Sequence, residues 1–336
     1  MKNIFILCLL NSLSAYADSL IILPQDGRTP YFEAFAQAQH EIRIEICVLE
    51  DPLILQSLQQ ALLRGVRVKV NVDRGKYNAL PIEQLNLALY LTSTGGELHL
   101  SNPIFPRSFP KVIIIDDFLV IIGTACLDST TFSQYRDYAY ISHSASIIKS
   151  MSQLFENDWS YSAPPNLYVP DFNPTPPITQ LDILISPVNS SSKLVSFIQS
   201  AQNTLDITSE LLGNPTLESE LAKSATTGVR VRLIAPEIVN SSTPSEQALQ
   251  IASLQKLRRA GIDVHVTQNP QSFNFPYMHA RTAIADGCVA YLGSISLSPD
   301  SITFNREVGL ILYNPKITKQ IQEQFNIDFH TKSVAF

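Results

Sequence analysis

A chain of 336 residues has room for about two domains at ~150 residues each. Its 45% hydrophobic and 16% charged content describes a folded chain with a large core and excludes a disordered one. With 24 basic residues against 30 acidic ones and no basic run, it lacks the stripe by which most nucleases neutralise phosphates, so nucleic acid is disfavoured as a partner. A phospholipid, another small phosphodiester or a locally basic pocket stays compatible with that balance.

The first element is residues 1–17. Lys2 precedes an apolar run from Ile4 that ends in Ala15-Tyr16-Ala17, the layout of a secretory signal peptide. The run is shorter than the ~20 apolar residues of a spanning helix; an uncleaved anchor or a buried first helix is the other reading. Cleavage after Ala17 removes Lys2 and no acid, so the balance becomes more acidic, on a chain expected to be soluble and exported, periplasmic or extracellular. Cys8 leaves with the leader. Cys47, Cys126 and Cys288 remain, each in a strand-like run, and an odd number excludes a fully paired framework. One disulfide, Cys47 to Cys126, fits an oxidising compartment; three buried thiols acting as small hydrophobes fit equally.

From Leu23 onward the chain repeats itself. Leu23 to Ile46 matches Ser186 to Ser209 without a gap, each a turn, an amphipathic helix and a β-rich strand. In the same frame Gly65-Val-Arg-Val pairs with Gly228-Val-Arg-Val, and Gly96-Glu-Leu-His then pairs with Gly261-Ile-Asp-Val after a small insertion in the second half. Further insertions shift the frame again before the closing helix. There Ile147, Met151, Phe155 and Trp159 fall opposite Ile317, Ile321, Phe325 and Phe329, the buried stripe of that helix. Alternating β and α elements in each half predict an α/β fold of two similar sandwich halves with mixed sheets. The first half spans 18–161, a proline-rich connector 162–178, and the second half 179–336.

Within that frame lies a repeated polar motif. His279, Arg281, Asp286, Gly293-Ser294, Ser296 and Glu307 follow one another in the second half. Phe109, Lys111, Asp116, Gly123-Thr124, Cys126 and Asp137 stand at the same intervals in the first. His279 and Arg281, at alternate positions, would share one strand face, and Glu307 is placed to hold the second imidazole nitrogen. The pattern resembles the phospholipase D superfamily, whose repeated motif is His-x-Lys-x4-Asp-x6-Gly-Ser-x-Asn, over nearly the whole chain after the leader. The resemblance implies two halves packed face to face around one central site, with no metal and no cofactor. It further implies transfer through a phosphohistidine, with a second histidine protonating the leaving group.

Carried over position by position, His279 is a motif histidine, Arg281 and Lys111 bind phosphate, and Thr124, Ser294, Ser296 and Cys126 line the cradle. Glu307 orients His279, and Asp116 and Asp286 anchor the motif loops. Asp137 would orient a first-motif histidine that Phe109 replaces, which leaves it free to pair with Lys111 or His279. Phe109 can neither attack phosphorus nor carry a proton. Two readings of different class follow. One is a phospholipase D-type phosphodiesterase or phosphatidyltransferase acting on a phospholipid, with peripheral membrane contact and impaired or atypical catalysis. The other is a pseudoenzyme that binds an anionic head group or a partner; an exported nuclease stands behind both. The sequence sets no oligomeric state. The remaining histidines, His40, His99, His143, His265 and His330, fall outside the motif spacing and read as surface or core residues.

Overall fold

The computed structural model describes residues 17–77, 90–165, 180, 182–240, 242–267 and 274–336. The expected leader, apart from Ala17, and the connector beyond Pro165 lie outside the described residues.

Among the described residues the first half contributes seven strands: β1 (Ser19–Leu23), β2 (Glu41–Ile46), β3 (Arg67–Val72), β4 (Glu97–Leu100), β5 (Val112–Ile115), β6 (Leu119–Gly123) and β7 (Tyr135–Ser142). The second contributes β8 (Ile183–Ser186), β9 (Thr204–Thr208), β10 (Arg230–Pro236), β11 (Asp263–Thr267), β12 (Tyr277–Met278), β13 (Thr282–Ala285), β14 (Val289–Gly293), β15 (Glu307–Leu312) and β16 (Ser333–Ala335). They form two eight-stranded mixed sheets. One runs β1-β7-β6-β5-β2-β3-β4, with β12 added on β7; the other runs β16-β11-β10-β9-β13-β14-β15-β8. The fold is therefore the expected pair of α/β halves.

Both faces of each sheet are covered, which is why central strands such as Val112–Ile115 and Leu119–Gly123 are apolar throughout and do not alternate. Along β5, Ile113 and Ile115 pack outward, against helices Thr29–Gln37 and Pro52–Leu63. Val112 and Ile114 pack inward, into a core shared by both halves. That shared core holds the two closing helices, Ala145–Ser160 and Pro315–Thr331, through Met151 and Phe155 of one and Ile321 and Phe325 of the other.

The register agrees with most of the repeat frame and corrects one step. In β2–β5, Ile42 faces Ile115; in β9–β13 their repeat counterparts, Leu205 and Ala285, face each other in the same way. In β3–β4, Lys69 faces Glu97, and in β10–β11, Arg232 faces Asp263. Glu97 therefore corresponds to Asp263, one position along from the frame that placed Gly96 on Gly261. Gly95 (φ 98°), not Gly96, is the partner of Gly261 (φ 90°). The left-handed turn before the strand decides the alignment, and the doublet Gly95-Gly96 hides it in the sequence.

Among the described residues, two buried arginine–carboxylate pairs join the halves. Arg136 on β7 reaches Asp328 of the second closing helix at 2.7 and 3.0 Å, and Arg306 reaches Asp158 of the first at 2.8 Å. They are each other's repeat, Arg306 falling opposite Arg136 and Asp328 opposite Asp158.

Candidate active site

Each motif crosses from one sheet to the other. β12 pairs with β7 of the first sheet, Met278 opposite Arg136, whereas β13 belongs to the second sheet. Ser108 likewise bridges to Arg306 of the second sheet just before β5 begins in the first. Residues 279–281 and 109–111 are the crossings, so the basic side chains land in the seam between the halves. His279 and Arg281 share it through this break between strands, and not as neighbours on one strand face. The crossings tolerate little change: Lys111 sits at φ 54°. At the end of β14, a Cβ on Gly293 would lie 2.3 Å from the Gly309 Cα. At the end of β6, one on Gly123 would lie 2.6 Å from the Tyr138 carbonyl oxygen.

In the seam the halves touch directly. His279 Nδ1 lies 2.9 Å from both carboxylate oxygens of Asp137. Thr124 donates its hydroxyl to the same carboxylate, and Lys111 Nζ donates to the Thr124 carbonyl. Arg281 Nη1 donates to that carbonyl at 3.4 Å and to the His279 carbonyl at 2.6 Å, while Nε donates to Ser296 Oγ at 2.9 Å. Its Nη2 is paired with Glu210. Glu210 Oε2 stands 3.7 Å from His279 Nε2, and Tyr277 donates to Oε1 at 2.9 Å. Ser294 Oγ accepts from the Val308 N–H at 3.0 Å, fixing the turn and the strand beside it.

Packing this much charge in a dry seam moves the titrations. Burial pushes the Asp137 carboxyl up to about 6, although Lys111, Thr124 and Arg281 pull it down. Burial, helped by the neighbouring Arg281, lowers the Lys111 ammonium to about 7. Burial pushes Glu307 up to about 7 against the pull of Arg281. Burial acts on Glu210 too, but Arg281, His279 and Lys111 outweigh it and hold that carboxyl below its ordinary range.

Comparison with known proteins decides the family. The sequence profile described as "Cardiolipin synthase, PLD-like domain" matches residues 31–159 and 194–329, well over half the chain. The chain belongs to the phospholipase D superfamily. Among its relatives are the cardiolipin synthases of Geobacillus kaustophilus (strain HTA426) and Geobacillus thermodenitrificans (strain NG80-2), each 22% identical over 92% and 90% of this chain. The chain spans only 66% and 64% of their lengths. The fold is similar to that of the phosphatidylserine synthase of Haemophilus influenzae Rd KW20, with a TM-score of 0.72, 16% identity and coverage of 94% of this chain and 87% of that one.

Within this phospholipase D fold, two sequence expectations change and one left open is decided. Glu307 does not hold His279; Asp137 of the other half does, because each motif crosses to the opposite sheet and meets the opposite carboxylate. By the same pseudo-twofold relation Glu307 belongs with residue 109. The Phe109 N–H donates to the Arg306 carbonyl at 2.7 Å, beside Glu307, while its ring packs on the first-half core. Cys47 and Cys126 form a disulfide, with Cα atoms 5.9 Å apart. Cys288 is neither buried nor in a strand but exposed in the turn before β14.

Asp116 and Asp286 stand in the turns that follow β5 and β13. Each accepts three backbone N–H groups, from Gln39, His40 and Glu41 and from Gln202, Asn203 and Thr204, at 2.7 to 2.9 Å. Those bonds also hold both carboxyls below their ordinary range against burial. His99 and His265 are half-buried and stack on Trp159 and Phe329 with ring centroids 3.7 Å apart, a packing role away from the motifs. His143 bonds the Phe118 carbonyl at 2.9 Å, away from the seam.

The sequence reading missed Glu210 and Tyr277. In the repeat frame Glu210 falls on Cys47, and Ser296 falls on Cys126. A disulfide therefore occupies the first-half positions whose counterparts grip Arg281. That substitution of a covalent bridge for a carboxylate–hydroxyl pair is visible in the alignment of the halves.

Proposed function

We propose that the protein is a phospholipase D-type enzyme that hydrolyses a phospholipid or transfers its phosphatidyl group, with His279 as nucleophile. The observation that carries this reading is the contact between His279 Nδ1 and Asp137 across the seam. A carboxylate on Nδ1 fixes the tautomer whose lone pair is on Nε2, the nitrogen that Arg281 Nη1 faces at 3.2 Å. Nε2 attacks phosphorus, forming a P–N bond as the P–O bond to the leaving alcohol breaks. Water or an alcohol then attacks the phosphohistidine, and the P–N bond breaks. Asp137 stabilises the imidazolium that forms in the first step, as the acid of a serine-protease triad does. Arg281 and Lys111 hold the non-bridging oxygens and offset the charge that develops on them. Membrane-lipid chemistry by the relatives named above supports a phospholipid over a nucleic acid. The disulfide supports export to an oxidising compartment, where the N-terminal segment would send the chain.

A second reading is favoured by Phe109 alone: a binding protein that keeps the phosphate pocket and has lost turnover. Purified protein incubated with labelled phosphatidylcholine, phosphatidylglycerol, cardiolipin and single-stranded DNA separates the two, run beside His279→Ala and Phe109→His. Lipid turnover abolished by His279→Ala supports the enzyme. An inert parent that gains activity in Phe109→His would replace it with the binding protein.

A further inference from the structure

The geometry points to Glu307 as the group that carries the proton a second motif histidine would carry. This rests on the phosphodiesterase reading above and names the residue that completes it.

The pseudo-twofold relation maps Glu307 onto Asp137, and their hydrogen-bond partners differ: Thr124 donates to Asp137, whereas Asn305 donates to Glu307, and only Asp137 meets an imidazole. Asp137 ends on the imidazole of His279. Glu307 has no imidazole to end on, because residue 109 is Phe. Its Oε1 accepts from Asn305 Nδ2 at 3.2 Å, and its Oε2, in a residue only 1% exposed, makes no hydrogen bond among the described residues. Ser301 stands near enough to pull the carboxyl's titration down, without closing a bond to that oxygen. A buried carboxylate oxygen left unpaired is costly, so such an atom points to a ligand, a proton or both. The side chain is also one methylene longer than that of Asp137, about 1.5 Å of extra reach. Arg281 and Lys111, the two cations placed to hold a phosphate, both act on it electrostatically, as does Tyr291. Its titration near neutral pH, driven first by burial, keeps both protonation states populated where the enzyme would work.

The steps balance. As His279 Nε2 bonds to phosphorus, the departing alkoxide takes the proton from the Glu307 carboxyl and leaves as an alcohol. The carboxylate so formed takes the proton from the incoming water or alcohol, whose oxygen bonds to phosphorus as the P–N bond breaks. Glu307 ends the cycle protonated, as it began.

Leaving-group dependence tests this. The full chain and Glu307→Gln are compared in single-turnover release of the leaving group from phosphatidylcholine and from bis(p-nitrophenyl) phosphate. The choline alkoxide needs a proton to leave; p-nitrophenolate does not. Glu307→Gln is expected to slow release from the lipid about 10²-fold or more, to leave the nitrophenyl ester within about threefold, and to abolish the alkaline limb of the lipid pH profile. Should the amide fail to fold, Glu307→Asp, which withdraws the carboxyl by one methylene, is expected to show the same split. Equal loss on both substrates makes Glu307 a packing residue, and no loss on the lipid puts the proton elsewhere; either overturns the proposal while leaving the enzyme reading intact. A parent chain inert on both substrates overturns the two together.

Discussion

The two halves are the same structure with opposite outcomes at one position. In the second half the crossing carries His279, and the carboxylate it meets, Asp137, is occupied. In the first half the crossing carries Phe109, and the corresponding carboxylate, Glu307, has one oxygen without a hydrogen bond among the described residues and a titration lifted to about 7 by burial. Much around the difference is kept, namely the anchoring aspartates, the glycines under the cradle and the cross-half arginines, although the Cys47–Cys126 disulfide stands where Glu210 and Ser296 stand in the second half. The frame of such a site is held by backbone and ion pairs that are independent of the catalytic side chains. A histidine can therefore be lost without losing the fold.

The comparison yields graded predictions. His279→Ala, which empties the occupied side, should reduce phospholipid turnover by more than about 10⁴-fold in a single-turnover assay, since it removes the nucleophile itself. Asp137→Asn keeps the imidazole but presents it in the wrong tautomer, and kcat should fall about 10²- to 10⁴-fold with little change in KM.

The paired arginines test the frame. Arg136 bonds Asp328 twice and the Gln25 side chain at 2.6 Å, whereas Arg306 leaves Nε and Nη1 without partners among the described residues. Breaking a buried pair costs about 3–5 kcal/mol, and Arg136→Met should fall in that range by denaturant unfolding. Arg306→Met should cost less, because Asp158 and the adjacent Glu45, both pushed up by burial, can share a proton once the cation is gone.

Phe109→His should make the two halves alike, raising turnover about tenfold or more and bringing a new imidazole into contact with Glu307. The smallest effect is a pH dependence of stability. Burial raises Glu307 from its ordinary 4.5 to about 7 in the folded chain, so its contribution is fully present below pH 4.5 and is lost as pH climbs to about 7. Glu307→Gln removes that loss. Its melting temperature should gain on the parent's between those two pH values and run parallel to it above them.

Much of this was legible in the sequence. Repetition in a common frame pointed to the two α/β halves, and the family resemblance carried by Lys111 to Asp116 and Arg281 to Asp286 implied that the two motifs meet at one central site. The partner of His279 was legible only as an alternative, since the sequence leaves Asp137 open to pair with Lys111 or His279 while Glu307 is the carboxylate expected to orient the imidazole. Glu307 follows His279 at the same interval as Asp137 follows Phe109, so spacing within one copy favours the wrong carboxylate. Only the crossing of β12 onto the other sheet reverses the choice, and so short a strand leaves no periodic signal. Glu210 was hidden for another reason. It breaks the repeat, and an element read from repetition is blind to what is not repeated. Arg136 with Asp328 and Arg306 with Asp158 do repeat, and could have been found as a matched pairing of opposite charges between the halves.

The central claim is that the two motifs form one site in which Asp137 of the first half prepares His279 of the second to attack phosphorus. Rapid quench of the protein with radiolabelled phosphatidylglycerol, followed by peptide mapping, tests it most directly. The account predicts an acid-labile phosphohistidine on His279, formed more slowly in Asp137→Asn. Turnover with no adduct on His279, or an adduct formed at the same rate in Asp137→Asn, would contradict it.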